Sequence, residues 1–205
     1  RDAEKKNRAI QKFVFHPRII SILEQLLQED VLAVSTSFYF KGPGTRGLPL
    51  HQDNYSIGAF PGTTFGVWIS LDASDKENGG LYFVPGSHHL GLLTPEKVTN
   101  SKSDYGQVLS IPEGYQQVDI TTLPGDVIIF DGNILHGSYY NESNHRFRRS
   151  LLTHFVTTSV ERIFLNYNHL LNKKGERVRR RRNIQKNVER TVNNTEWSGL
   201  TLNEN

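Results

Sequence analysis

Between Val31 and Thr158 apolar residues recur in short runs: VLAVSTSFYF, TTFGVWISL, LYFVPG, QQVDIT, DVIIF and SLLTHFVTT. β-branched and aromatic residues dominate them, and turn clusters such as KGPGTRG, DASDKENGG and LPGD separate them. Runs of this composition bounded by Gly, Pro, Asp and Asn read as strands. No helical segment of about 10–15 residues lies between successive runs, which argues against parallel βαβ units. The pattern predicts a mainly β protein with flanking helices, in which about seven or eight short strands close into a double-stranded β-helix, a jelly-roll or cupin-like barrel. Upstream the period changes. In PRIISILEQLLQED (Pro17 to Asp30), Ile19, Ile20, Ile22, Leu23, Leu26 and Leu27 recur at helical spacing, with proline at the first turn. An amphipathic helix is expected there, covering the outside of another element.

Composition narrows the class. The chain has 205 residues, 36% of them hydrophobic and 22% charged. That is enough apolar material for one core and excludes a wholly disordered chain. A single domain over 1–205 is expected, with the barrel core at about 31–160. No apolar run approaches the ~18 residues of a membrane span. The N-terminal RDAEKKNRAIQK is charged rather than apolar, so no signal peptide is visible and a cytoplasmic location is expected. Cysteine is absent. A disulfide framework, a thiolate zinc site and a cysteine nucleophile are thereby excluded, and any metal must be held by nitrogen and oxygen.

The net charge of +3 is unevenly spread. Residues 172–190 hold nine Lys or Arg against two Glu, a local +7, which leaves −4 for the rest. Arg177 to Arg182 (RVRRRR) is the densest stretch. It reads first as a solvated helix or arm. Contact with an anionic substrate or with nucleic acid is the sharper alternative, but no interleaved aromatics or recognisable nucleic-acid module accompany the run.

The candidate chemistry begins in LPLHQDNY. If Leu50 to Asp53 is extended, His51 and Asp53 share a face while Gln52 points away. An imidazole and a carboxylate so placed form one edge of a metal site. A distant histidine, His136 in LPGDVIIFDGNILHGS, supplies a third ligand. Two imidazoles and one carboxylate on one face of an octahedral metal make the facial triad of non-haem Fe(II) oxygenases, with three positions open. Zinc is a poorer match, since no HExxH is present. His88 and His89 read as structural or rim residues, His145, His154 and His169 show no partner pattern, and His16 precedes the helix. Beyond His136, Arg146, Arg148 and Arg149 lead into a β run. An arginine entering a barrel interior is costly unless it meets an anion, and guanidinium grips a carboxylate with two parallel hydrogen bonds. Strand parity places Arg148 with Ser150 on one face and Arg149 with Leu151 on the other, without deciding which face is interior.

These motifs resemble the phytanoyl-CoA dioxygenase (PhyH-like) branch of the Fe(II)/2-oxoglutarate-dependent oxygenases. The likeness rests on His51-Gln52-Asp53, Trp68, NGGLYFVPGSH from Asn78 to His88, LPGDVIIFDGNILHGS, and the Arg148-Arg149-Ser150 strand. It runs from about Phe38 to Val156. The resemblance implies a double-stranded β-helix with His51, Asp53 and His136 as iron ligands. It further implies that Arg148 pairs with the distal carboxylate of the cosubstrate 2-oxoglutarate, with Arg149 or Arg146 as alternatives, that Ser138 offers it a hydroxyl, and that Trp68 packs beside it. O2 would be the oxidant, and succinate and CO2 would be released as a C–H bond of a small-molecule substrate is hydroxylated or otherwise oxidised. Halogenating relatives have a small residue where Asp53 stands, so its presence points away from halogenation. Asn54, Tyr55 and Phe83 are candidate substrate-pocket residues, and the segment from Leu92 to Gln117 is long enough for a lid. The rival reading is a non-catalytic β-barrel of the same fold that binds a small ligand.

Overall fold

The computed structural model describes residues 3–5, 7–94, 96–97 and 107–184. After α1 (Arg8–Val14) and α2 (Pro17–Leu27) come β1 (Val31–Lys41), β2 (Leu48–His51), the short helix α3 (Asp53–Ile57), β3 (Phe65–Ser70) and β4 (Leu81–Phe83). The two-residue strands β5 (Glu96–Lys97), β6 (Gln107–Val108) and β7 (Val118–Asp119) follow. Then come β8 (Val127–Asp131), β9 (His136–Ser138) and β10 (Arg148–Thr157). Four more short strands finish the described chain: β11 (Arg162–Ile163), β12 (Leu170–Leu171), β13 (Arg177–Val178) and β14 (Arg181–Arg182).

One sheet runs β13-β12-β1-β10-β3-β8 and a second runs β2-β9-β4-β7. Every pairing within these two sheets is antiparallel. The sheets face each other across a shared cluster. Trp68, Phe130 and Leu152 come from the larger sheet, Leu81 and Phe83 from the smaller. This is the expected two-sheet β-helix. The alternation of β10 sorts its side chains. Leu152 and Val156 point into the barrel, while Leu151 and Phe155 pack outward.

The outward face of β1, β3 and β10 is covered by α1 and α2 through Val14, Ile20, Leu23, Val31, Ala33, Val67 and Phe155. The α2 helix forms where the periodicity places it, but only part of its apolar stripe is used. Ile19, Ile20, Leu23 and Leu27 meet the sheet, whereas Ile22 is 40% and Leu26 66% exposed. Its N-cap is His16, whose ring accepts from the Arg18 backbone N–H at 3.3 Å. The preceding α1 was not expected. Asn7 caps it by accepting from Ala9 and Ile10.

The basic segment also differs from a helix or arm. Through Ile184 it lies on the barrel as β13 and β14, β14 pairing with β11, and Arg180 donates to the Thr158 carbonyl at 2.9 Å. Residues 185–190 of that segment, and the central part of the Leu92 to Gln117 segment, lie outside the described residues. The described flanks of the latter are pinned to the barrel, since Leu93 and Leu109 are buried with Leu50, Val84 and Leu135. Among the described residues no helix is long and apolar enough to cross a membrane.

Candidate metal centre

The triad is assembled by strand pairing. Antiparallel β2 and β9 place His51 directly opposite His136, so residues far apart in sequence become cross-strand neighbours with ring centroids 4.3 Å apart. The extended run stops one residue earlier than expected. Gln52 is still extended, but Asp53 opens α3. His51 and Asp53 nevertheless face each other, with His51 Nε2 3.5 Å from Asp53 Oδ1 and His136 Nε2 3.6 Å from Asp53 Oδ2. One ligand atom from each of His51, Asp53 and His136 lies within 4.8 Å of the others, and they are the one such group of three among the described residues. His88 and His89 stand outside it, their rings in tilted contact with each other in a 3₁₀ turn.

Several partners fix these side chains. The Nδ1 of His51 lies 2.8 Å from the Pro49 carbonyl, and that of His136 lies 3.1 Å from the Ile134 carbonyl. A carbonyl only accepts, so each Nδ1 carries a hydrogen and each Nε2 is the ring nitrogen turned toward the carboxylate and available to a metal. Phe83 stacks on the His136 ring at 5.4 Å and 17°, with Phe130 at 4.9 Å on a tilt. Burial, with a lesser push from His51, holds His136 down at about 4, so it is neutral near pH 7. For His51, burial alone would lower the pKa, but the hydrogen bond and charge of Asp53 outweigh it and the net shift is upward. Burial works against Asp53 as an anion, yet His154, His136 and His51 together hold its carboxyl well below the usual range.

Two residues not singled out from sequence complete the setting. His154, on β10, donates from Nε2 to Asp53 Oδ2 at 2.9 Å, so a histidine without a visible partner turns out to brace the carboxylate. Gln52 turns away from the site and is buried. Its amide donates to the Gly91 and Asn133 carbonyls at 2.7 and 2.6 Å, and its Oε1 accepts from Leu93 N–H at 2.8 Å. The residue between the two ligands thus ties β2 to both neighbouring loops.

The three arginines have separate fates. Arg149 faces outward and forks onto Asp72 at 2.9 and 2.6 Å. Arg146 pairs with Asp75 and Glu77. Arg148 is 2% exposed and points inward, donating from Nε to the Gly79 carbonyl at 3.1 Å and from its terminal nitrogen to Ser150 Oγ at 3.0 Å. Its guanidinium lies 5.9 Å from the Trp68 ring. Burial lowers it to about 10, still charged at neutrality. One cavity between the sheets is lined by His51, Asp53, His136, Trp68 and Arg148.

Ser138, two residues after His136, is buried, and its Oγ accepts from Lys41 Nζ and Leu48 N–H. Lys41 is a further inward cation that the sequence reading passed over. Of the candidate pocket residues, Phe83 packs against His136 as described. Asn54 is fully buried with its Oδ1 accepting from Ala59 N–H at 3.0 Å. That bond spans the end of α3, and none of Asn54, Tyr55 and Phe83 is among the residues lining the cavity that holds the triad.

Comparison with known proteins agrees with this arrangement. Residues 1–150 match the family described as Phytanoyl-CoA dioxygenase (PhyH). The chain belongs to the phytanoyl-CoA dioxygenase family. Phytanoyl-CoA dioxygenase 1 of Oryza sativa subsp. japonica is 27% identical over 149 residues, covering 72% of this chain and 53% of the rice protein. A Phytanoyl-CoA dioxygenase domain-containing protein 1 homolog from Dictyostelium discoideum is 28% identical over 179 residues, covering 84% of this chain and 63% of its own length. The chain therefore spans about half to two thirds of these relatives. Among solved structures, the epimerase SnoN in complex with Fe3+, alpha ketoglutarate and nogalamycin RO superposes with a TM-score of 0.63 at 20% identity, covering 78% of this chain and 63% of that one. At that identity the likeness concerns the fold.

Proposed function

We propose that this chain is the catalytic barrel of a non-haem Fe(II)/2-oxoglutarate-dependent dioxygenase that hydroxylates, or otherwise oxidises, an unactivated C–H bond of a small-molecule substrate. The observation that carries this reading is the convergence of His51, Asp53 and His136 in a cavity that Arg148 also lines. Two imidazoles and one carboxylate, without thiolate, suit Fe(II) and leave open positions. Bound Fe(II) with 2-oxoglutarate and O2 supplies the oxidising chemistry, releasing succinate and CO2.

The chain's own residues supply geometry and dryness. His51 and His136 present Nε2 because their Nδ1 hydrogens are committed to backbone carbonyls. Asp53, braced by His154, completes the ligand set. Arg148 would receive the distal carboxylate of 2-oxoglutarate through a buried guanidinium, Ser138 would add a hydroxyl, and Trp68 would wall the same space. Phe83 and Phe130 keep water from the His136 ring. Asp53 occupies the position that a halogenase leaves small, which supports hydroxylation-type chemistry.

The test is Fe(II)- and 2-oxoglutarate-dependent succinate formation under O2, measured without any prime substrate. Slow uncoupled succinate release by the wild-type protein, abolished in Asp53→Ala and strongly reduced in Arg148→Ala but not in Arg149→Ala, is the expected result. Succinate release that survives Asp53→Ala would refute the proposal.

A further inference from the structure

The basic run that begins at Asn172 has no part in the chemistry of the barrel, and its first turn meets a second set of cations. That turn, between β12 and β13, stands beside α1, and the two border an open cleft of about 840 Å³. Lys5, Arg8 and Lys12 line it from the N-terminal side, Lys173 and Lys174 from the turn, and no carboxylate is among its lining residues. The cleft lies with α1 on the outward side of the large sheet, whereas the metal cavity lies between the sheets, and the two share no lining residue.

Carboxylates are present nearby but committed elsewhere. Glu24 and Asp30 both accept from Lys173 Nζ at 2.9 Å, and Glu176 accepts from the Asn172 amide at 2.8 Å. Lys173 is thereby neutralised. Among the described residues the side chains of Arg8, Lys12 and Lys174 make no ion pair. Arg8 and Lys12 stand four apart on one face of α1, a spacing at which like charges are mildly destabilising. Scattered lysines on a convex surface would mean little, but a concave wall of one sign focuses its field. His169 registers that field, since the charge of Arg177 first, then a loss of hydration, Arg179 and Lys5, lower its pKa. The walls are also fixed relative to each other. Asn172 Oδ1 accepts from the Lys174 and Glu176 N–H groups, and Gly175, with φ at +78°, comes so near α1 that a Cβ would stand 3.0 Å from Gln11 Oε1. Phe15 and Pro17 add an apolar wall beside the cations.

We propose that this cleft binds a nucleoside polyphosphate, with the run of phosphates on Arg8, Lys12 and Lys174 and the ring system against Phe15 and Pro17. Three cations gathered from two elements suit a compact group of several charges, which linked phosphates supply and a single carboxylate does not. An acidic peptide spreads its charges along a chain, and a bilayer surface is too flat to enter the cleft. Because the large sheet stands between the cleft and the triad, a molecule bound there is a second ligand of the protein and not the one oxidised.

The experiment is calorimetry on the metal-free full chain, which leaves the phosphates no iron to chelate, at physiological ionic strength. The probes are adenosine triphosphate, inorganic tripolyphosphate, adenosine monophosphate, a hexaglutamate peptide and a thymidine octanucleotide. One equivalent of adenosine triphosphate should bind, tripolyphosphate within tenfold of it, and each of the other three at least tenfold more weakly. Arg8→Gln/Lys12→Gln is expected to weaken adenosine triphosphate tenfold or more and Lys174→Gln threefold or more. Arg181→Gln/Arg182→Gln, which removes as much charge from the far end of the basic run, should change it less than twofold. Independently of any variant, adenosine triphosphate should protect Lys12 and Lys174, but not Lys76, from acetylation by acetic anhydride, read by mass spectrometry. Failure of the triphosphate to bind, equal losses in the cleft and control variants, or binding without protection of Lys12 and Lys174 overturns the assignment. Monophosphate binding as tight as the triphosphate overturns the role of the phosphate run. Tighter binding of the peptide or the oligonucleotide overturns the ligand class in favour of a protein or nucleic-acid partner.

Discussion

His154 illustrates what a single side chain contributes without touching a metal. Its Nε2–H holds one oxygen of Asp53, 101 residues away in sequence. Groups that hydrogen-bond a metal ligand typically change metal affinity about 10- to 100-fold when removed. His154→Ala is therefore expected to lower Fe(II) affinity by that order, and His154→Gln, which keeps a donor, to lower it less. Competition against a chelator would measure both, and equal affinity in the two variants would show that the donor is not what counts. In the sequence His51 and Asp53 were legible because two-residue spacing has a geometric meaning on an extended chain. His154 was not, because nothing local distinguishes it within SLLTHFVTT and its partner is set by register alone. The arginines show the same limit. Alternation separates Arg148 from Arg149, but the inner face is decided by Leu152 packing with Trp68 and by Asp72 waiting outside for Arg149.

At the level of elements, the strands were readable because β-branched runs bounded by turn residues leave little choice, and β1, β3, β8 and β10 all lie where those runs lie. The short helix that opens at Asp53 was not, since HQDNY carries no helical period. In α2, six apolar residues cover more of the circumference than one contact can use. Its fully buried Leu23 and its 66%-exposed Leu26 make the distinction measurable. Leu23→Ala should cost about 2–5 kcal/mol, as buried leucine truncations do, while Leu26→Ala should stay within about 0.5 kcal/mol. Urea unfolding of the two variants checks this, and comparable losses would mean that α2 does not sit on the sheet by the face described. The β10 strand links element to site, because its inward row carries Arg148, Ser150, Leu152 and His154 in sequence. One strand thereby serves the anion clamp, the barrel core and the ligand brace.

Across the whole molecule, two facing antiparallel sheets bring β2 against β9 and β1 against β10, and the two pairings build the two halves of the proposed site. The first sets His51 beside His136, the second sets Lys41 beside Arg148. The architecture was legible from strand spacing and the missing helical connections. The edge placement of the basic segment was not, because a run of arginines says nothing about what its backbone pairs with. The central claim is that His51, Asp53 and His136 hold Fe(II) with room for the cosubstrate. It is tested most directly by anaerobic titration of the metal-free protein with Fe(II) and then 2-oxoglutarate, following bound metal and the visible charge-transfer absorption. We expect one Fe(II) per chain, a band that grows with one equivalent of 2-oxoglutarate, and loss of both in Asp53→Ala. Failure of the wild-type protein to retain Fe(II), or full retention by Asp53→Ala, would contradict it.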